Sequence, residues 1–366
     1  MVRSFEFALA PLALLAALVL PRPAAALNLS FSFSFQLGFA PEAVAYGADT
    51  TADGSPGRLF IAENTSGGNG DNVIRVFDPL DAITSPMGPV SETRNFATTG
   101  TNAEFDEIRG LDYIDASNTL LISTNERGGG LLPSRVREID QVGATIGGGI
   151  DLILASPYEP EATFFHDGRN TFFVADEEGV GEIGTVQEFA LDGTPGDGVN
   201  GAFFEVFDDL GYDDPNGMDW LGDFIFVGDD NSGAGFVSRL EVYDLGGASV
   251  DNMDNPLYFR EEWSVLTSEA NTNAATGGVG GFCDFVTDKG ENCADFEGMT
   301  IDLIDVGQGP QLHLVAIFED QQTLIAWTLS DLPLSPGGLP GPPVPEPSVV
   351  WLLGAGAVFL ARRARA

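Results

Sequence analysis

Lysine is almost missing from this chain. Lys289 is the only one in 366 residues, and with the arginines it makes 16 basic side chains against 55 acidic ones, a formal net charge of −39. Such a surface repels nucleic acid and anionic lipid and attracts divalent cations, so no nucleic-acid partner is expected. Histidine is nearly as rare. His166 in the stretch "HDGRN" reads as a turn residue, and His313, inside an apolar stretch, as a packing residue. No Gly-x-Ser-x-Gly elbow occurs, which argues against a serine hydrolase of the α/β type. No phosphate-cradling loop or dinucleotide fingerprint sits between a strand and a helix. Helical periodicity is almost absent, and so are long apolar runs. Val349–Ala361 has 13 residues, whereas a permanent helical span needs about 20.

The two ends carry processing signals. Arg3 gives a basic start, Leu12–Leu20 is unbroken and apolar, and Ala24-Ala25-Ala26 offers the small residues a signal peptidase needs. Cleavage after Ala26 is expected, leaving residues 1–26 as a signal peptide. At the other end "VPEPSVVWLLGAGAVFLARRARA" joins Pro345-Glu346-Pro347, a short apolar helix and Arg362, Arg363 and Arg365 on its cytoplasmic side. This order of parts resembles the PEP-CTERM sorting tail of exopolysaccharide-making bacteria. The resemblance implies a transient inner-membrane anchor, cleaved near the Pro-Glu-Pro by an exosortase; a weak stop-transfer segment is the alternative. Signal peptidase and exosortase are therefore the expected partners during export, with the mature protein at the cell surface or outside the cell. Without residues 1–26 and 346–366 the net charge is −42. In an exported chain Cys283 and Cys293 are expected to form one disulfide closing a surface loop. A metal pair is the alternative, though neither a third cysteine nor a nearby histidine completes a ligand set.

Five segments between these ends share one order of parts. Each opens with a short motif: "PEAVAY" (41–46), "IRGLDY" (108–113), "PEATFF" (160–165), "PNGMDW" (215–220) and "FEGMTI" (296–301). A second strand follows, as in "LFIAEN" and "FIFVGDD", and then a third that runs towards an acidic residue, as in "VIRVFD" and "RVREID". Counted from Ala43, Gly110, Ala162, Gly217 and Gly298, the intervals are 67, 52, 55 and 81 residues. Repeats of three strands plus a variable outer one predict an all-β fold, a β-propeller of five blades over residues 27–332. Six blades fit if the 67- or 81-residue interval hides one; a β-sandwich is the other reading. Residues 333–345 read as a Pro/Gly-rich linker and 346–366 as the sorting tail. The last segment shows only three strands. The alternating stretch "LNLSFSFSFQLGF" (27–39) is expected to supply its fourth and so close the ring.

In a propeller the residues opening each innermost strand converge on the central channel. Here they are Glu42, Arg109, Glu161, Asn216 and Glu297. Buried together, they call for a cation or a water-filled channel, and their oxygens suit Ca²⁺ or another hard divalent ion. "PNGMDW…FIFVGDD" resembles the Asn-Gly-Leu-Asp-Trp stretch of the regucalcin/gluconolactonase propellers, and "LFIAEN…VIRVFD" resembles NHL-type repeats more loosely. The first resemblance implies a divalent metal held by Glu42, Asn216 and Glu297. It also implies lactone hydrolysis, with Asp229 or Asp230 as the base. The chain departs from that family in having Glu-Ala-Val at 42–44 and Glu in place of Asp at 297. Arg109 and Glu161 would line the channel. The leading expectation is a surface or extracellular-matrix binding module, with exopolysaccharide or a small molecule as candidate partners. A metal-dependent lactonase or related esterase is the alternative, and a purely structural matrix protein a third.

Overall fold

The computed structural model describes residues 28–51, 57–63, 72–84, 91–98, 107–125, 135–152, 160–176, 184–196, 201–206, 215–222, 224–229, 239–245, 296–319 and 322–330. These form five antiparallel sheets. Blade 1 is β2 (Pro41–Gly47), β3 (Arg58–Glu63), β4 (Val73–Phe77) and β5 (Glu92–Ala97). A short helix α1 (Pro79–Thr84) precedes β5 and accounts for part of the 67-residue interval. Blade 2 is β6 (Glu107–Ile114), β7 (Thr119–Asn125), β8 (Arg135–Ile139) and β9 (Thr145–Asp151). Blade 3 is β10 (Pro160–His166), β11 (Thr171–Asp176), β12 (Thr185–Ala190) and β13 (Phe203–Glu205). Blade 4 has three described strands, β14 (Gly217–Leu221), β15 (Phe224–Asp229) and β16 (Arg239–Asp244).

Blade 5 combines the two ends of the propeller. β17 (Phe296–Asp305), β18 (Pro310–Phe318) and β19 (Thr323–Ser330) are joined on the outside by β1 (Asn28–Gln36). Asn28 pairs with Ser330 and Gln36 with Thr323. The expected closing strand is therefore in place, with one correction. The pairing skips Ser32, so the alternation read straight through 27–39 is interrupted there by a bulge. His313 accounts for the position: Ser32 Oγ lies 3.0 Å from its Nε2, while its Nδ1 lies 2.8 Å from the Gln311 carbonyl oxygen. The carbonyl can only accept, so Nδ1 carries the proton and Nε2 accepts from the Ser32 hydroxyl.

The inner strands pack β2 against β6, β6 against β10, β10 against β14, β14 against β17, and β17 back against β2. The ring is closed. β2 and β10 are buried along their whole length, because a blade's first strand is covered on both faces by its neighbours. Five apolar clusters fill the five interfaces between blades, among them Phe60 with Tyr113 between blades 1 and 2 and Phe226 with Phe296 between blades 4 and 5. Many of the 27 phenylalanines serve as wedges here; Phe60, Phe164, Phe172, Phe173, Phe189, Phe226 and Phe296 are fully buried. Three of the acids closing the third strands are turn residues. Asp78 accepts the Leu80 N–H, Asp140 those of Val142 and Ala144, and Asp192 that of Thr194.

Candidate functional site

Close approach at the axis dictates the small residue in each opening motif. A methyl group on Gly110 would lie 2.4 Å from Ser123 Oγ and 2.6 Å from Thr163 N, and one on Gly217 would lie 2.5 Å from the Phe296 ring and 3.0 Å from Gly298 Cα. Ala43, Gly110, Ala162, Gly217 and Gly298 thus form the narrow waist of the ring.

The residue just before each waist position is the one the ladder leaves out. Pairing skips Glu42 in β2, Arg109 in β6, Glu161 in β10 and Glu297 in β17, and Asn216 stands immediately before β14. A bulge frees one residue from pairing and re-aims its side chain. Repeated around the ring, it gathers Glu42, Glu161, Asn216 and Glu297, all buried, with Arg109. Arg109 Nη1 lies 2.9 Å from Glu42 Oε1 and 3.1 Å from Glu161 Oε2. One guanidinium therefore bridges blades 1, 2 and 3 and balances two buried carboxylates, which would be costly without it.

Beside it is a cavity of about 10 Å³, lined by Arg109, Asn216, Glu297 and the waist residues, with room for about one water molecule or ion. Asn216 Oδ1 is buried and accepts no hydrogen bond from a described residue. Of the three expected metal ligands, Asn216 and Glu297 line this cavity, while the Glu42 carboxylate is held by Arg109. Among the described residues no group of three or more His, Cys, Asp or Glu side chains has the geometry to hold a metal ion. The backbone of Asp229 ends β15, across the ladder from Arg239. Asp230, Cys283, Cys293, Ala24, Ala26 and the tail residues Pro345, Glu346, Pro347, Arg362, Arg363 and Arg365 lie outside the described residues.

A second group of polar residues, which repeat spacing alone does not single out, lies beyond the waist. Asp112 and Asp219 each stand two residues after a waist glycine, in "GLDY" and "GMDW". Each accepts a backbone N–H from the inner strand of the next blade: Phe165 N donates to Asp112 Oδ2 at 2.6 Å, and Ile301 N donates to Asp219 Oδ2 at 2.5 Å. Trp220 Nε1 returns a bond to the Phe165 carbonyl at 2.9 Å, and its ring stacks on His166 at 4.0 Å. Asp302, further along β17, accepts the adjacent Leu303 N–H. Burial pushes the Asp219 carboxyl up to about 7 against the pull of its two backbone donors, and the Asp302 charge adds to the rise. Asp302 is raised to about 6, by burial first and then by Asp115. Asp112 is raised well above the ordinary range by burial and the Asp219 charge. The recurrence of Gly-x-Asp in two opening motifs was the available signal.

Similar solved structures are distant in sequence. The tail fibre of Staphylococcus aureus phage P68 is 11% identical, with a TM-score of 0.46 over 84% of this chain and 53% of that one. Kuenenia stuttgartiensis hydrazine synthase is 12% identical, with a TM-score of 0.35 over 76% of this chain and 63% of that one. A nidogen/laminin complex is 9% identical, with a TM-score of 0.37 over 79% of each chain. The chain spans about half the length of the tail fibre it matches. No curated protein matches it. Residues 343–366, however, match the PEP-CTERM protein-sorting motif, and the chain accordingly carries a C-terminal signal for export and sorting.

Proposed function

We propose that the mature chain is a binding or interaction module of the cell surface or extracellular matrix, delivered there by its sorting tail. In this reading signal peptidase cuts after Ala26 and an exosortase cuts near Pro345–Pro347, so the inner-membrane anchor is transient. Mass spectrometry of the secreted protein tests the delivery: termini at Leu27 and near Pro345 are expected, and an intact Arg365-containing end would overturn it.

One observation supports binding over catalysis. Arg109 occupies the space between Glu42 and Glu161 and supplies the positive charge that a catalytic metal would otherwise bring. The polar ring then ties three blades together and leaves partners to the outer surfaces. Exopolysaccharide fits the destination of the tail. Retention of the purified propeller on exopolysaccharide from the producing cells, compared with an Arg109→Met variant that still folds, checks this. Equal retention of the two proteins is expected, because the channel is not the binding surface.

A second reading has its own support. Asn216 Oδ1 is a buried oxygen without a described donor, and it shares a cavity with Glu297. These two residues fit a divalent ion such as Ca²⁺, whereas Glu42 fits only if it leaves Arg109. When bound, such an ion would polarise a lactone carbonyl, as the "PNGMDW" resemblance implies. Metal analysis followed by a lactone hydrolysis screen of the native protein and Asn216→Ala decides it. The lactonase reading requires bound metal and a loss of activity of about a hundredfold or more in the variant; a metal-free, inactive native protein removes it.

A further inference from the structure

The carboxylates beyond the waist carry an inference separate from the polar ring. Asp112 stitches blade 2 to blade 3, and Asp219 stitches blade 4 to blade 5. Asp302 stands on the same side of the waist on β17, and no described arginine pairs with any of the three. β2 brings Tyr46, whose hydroxyl is raised to about 12 by burial and the Asp302 charge. β10 brings His166, and the turns after β6 and β10 bring Asp115 and Asp167, each itself raised, in the case of Asp167 partly by Asp115. β18 brings His313, whose pKa burial lowers against the opposing pull of the Gln311 carbonyl, and Asp305 ends β17. Arg58, at this end of β3, is committed to Asp78 at 3.1 Å. Glu42, Arg109, Glu161 and Glu297 precede the waist residues on their strands.

Like charges are thus concentrated where side chains tie neighbouring blades to each other. We propose that Asp112, Asp219 and Asp302 form a proton-operated lock on the propeller, which holds the ring tightly while they share protons and loosens it when the last proton leaves. The linkage has a definite sign. An unfolded Asp loses its proton near 3.8, whereas Asp302 and Asp219 keep theirs to about 6 and about 7. Between these limits the folded state binds more protons, so stability is greatest at the acid side and falls as pH rises through about 6 to 7. Ordinary surface carboxylates have finished titrating below that window.

Hydrogen exchange of the Phe165 and Ile301 amides in the full-length chain tests the lock directly, with the intrinsic base-catalysed rate divided out. Protection of both amides should fall about tenfold or more between about pH 5 and about pH 8.5. In Asp302→Asn, which removes a repelling charge without cutting a stitch, the fall should shrink by at least half. Protection that stays constant with pH in the native chain overturns the proposal, and so does an undiminished fall in the variant. The native measurement stands alone if the variant does not fold.

Discussion

Three hairpin positions show how much one residue can settle locally. Asn118, Asn170 and Gln322 have φ of 55°, 55° and 48°, and each stands just before a strand that opens with threonine. Asparagine tolerates this left-handed conformation, while glutamine has no short side-chain contact to offset it. Replacing Gln322 by Asn or Gly should therefore stabilise the fold by about 1 kcal/mol, seen as a higher urea midpoint at unchanged slope. A lower midpoint would show that the Gln322 side chain contributes more than its backbone costs. At this scale the sequence was partly legible. The acids after the third strands were visible as a pattern, but their work as acceptors for turn N–H groups depends on geometry that spacing does not reveal. Asp112 and Asp219 stand inside the opening motifs, yet an Asp two residues after a glycine reads the same whether it faces solvent or the next blade.

Within an inner strand, a bulged polar residue and a small residue act as one unit. The bulge turns Glu42, Arg109, Glu161 or Glu297 towards the axis, and the small residue that follows lets the neighbouring blade approach. Gly110→Ala should cost about 2 kcal/mol, since its methyl group meets Ser123 Oγ and the Thr163 backbone and the latter cannot yield. Thermal or urea unfolding measures this; a neutral result would mean that the waist widens freely. The convergence of the five polar residues was legible from their recurring place before Ala or Gly. The bulge that aims them was not, since a skipped pair leaves no mark on an inner strand apolar on both faces. Nor did the residue types reveal that Arg109 is the cation among the carboxylates, because the pairing joins residues from three blades.

For the molecule as a whole, blade count and ring closure followed from the repeat and from an orphan alternating strand at the opposite end of the chain. Cutting residues 28–36 would leave β19 as an open edge and remove a ladder of backbone bonds. A loss on the order of 5 kcal/mol is expected, together with self-association through the exposed edge, both measurable by unfolding and size-exclusion chromatography. A monomeric truncated protein of native stability would show that a three-stranded last blade suffices. The five interfaces explain why no single core was visible in the sequence: each cluster mixes residues from two different blades.

The pairing of Asn28 with Ser330 also sets a timetable. These partners are 302 positions apart, so the contact that completes the ring forms only after nearly every other residue has been made and exported. Loop closure over such a distance is the slow step of folding. Until then β1 has waited longest, and the exported chain is an arc with two sticky ends. The interval between the arrival of β1 and that of β19 is the period when neighbouring copies can exchange strands.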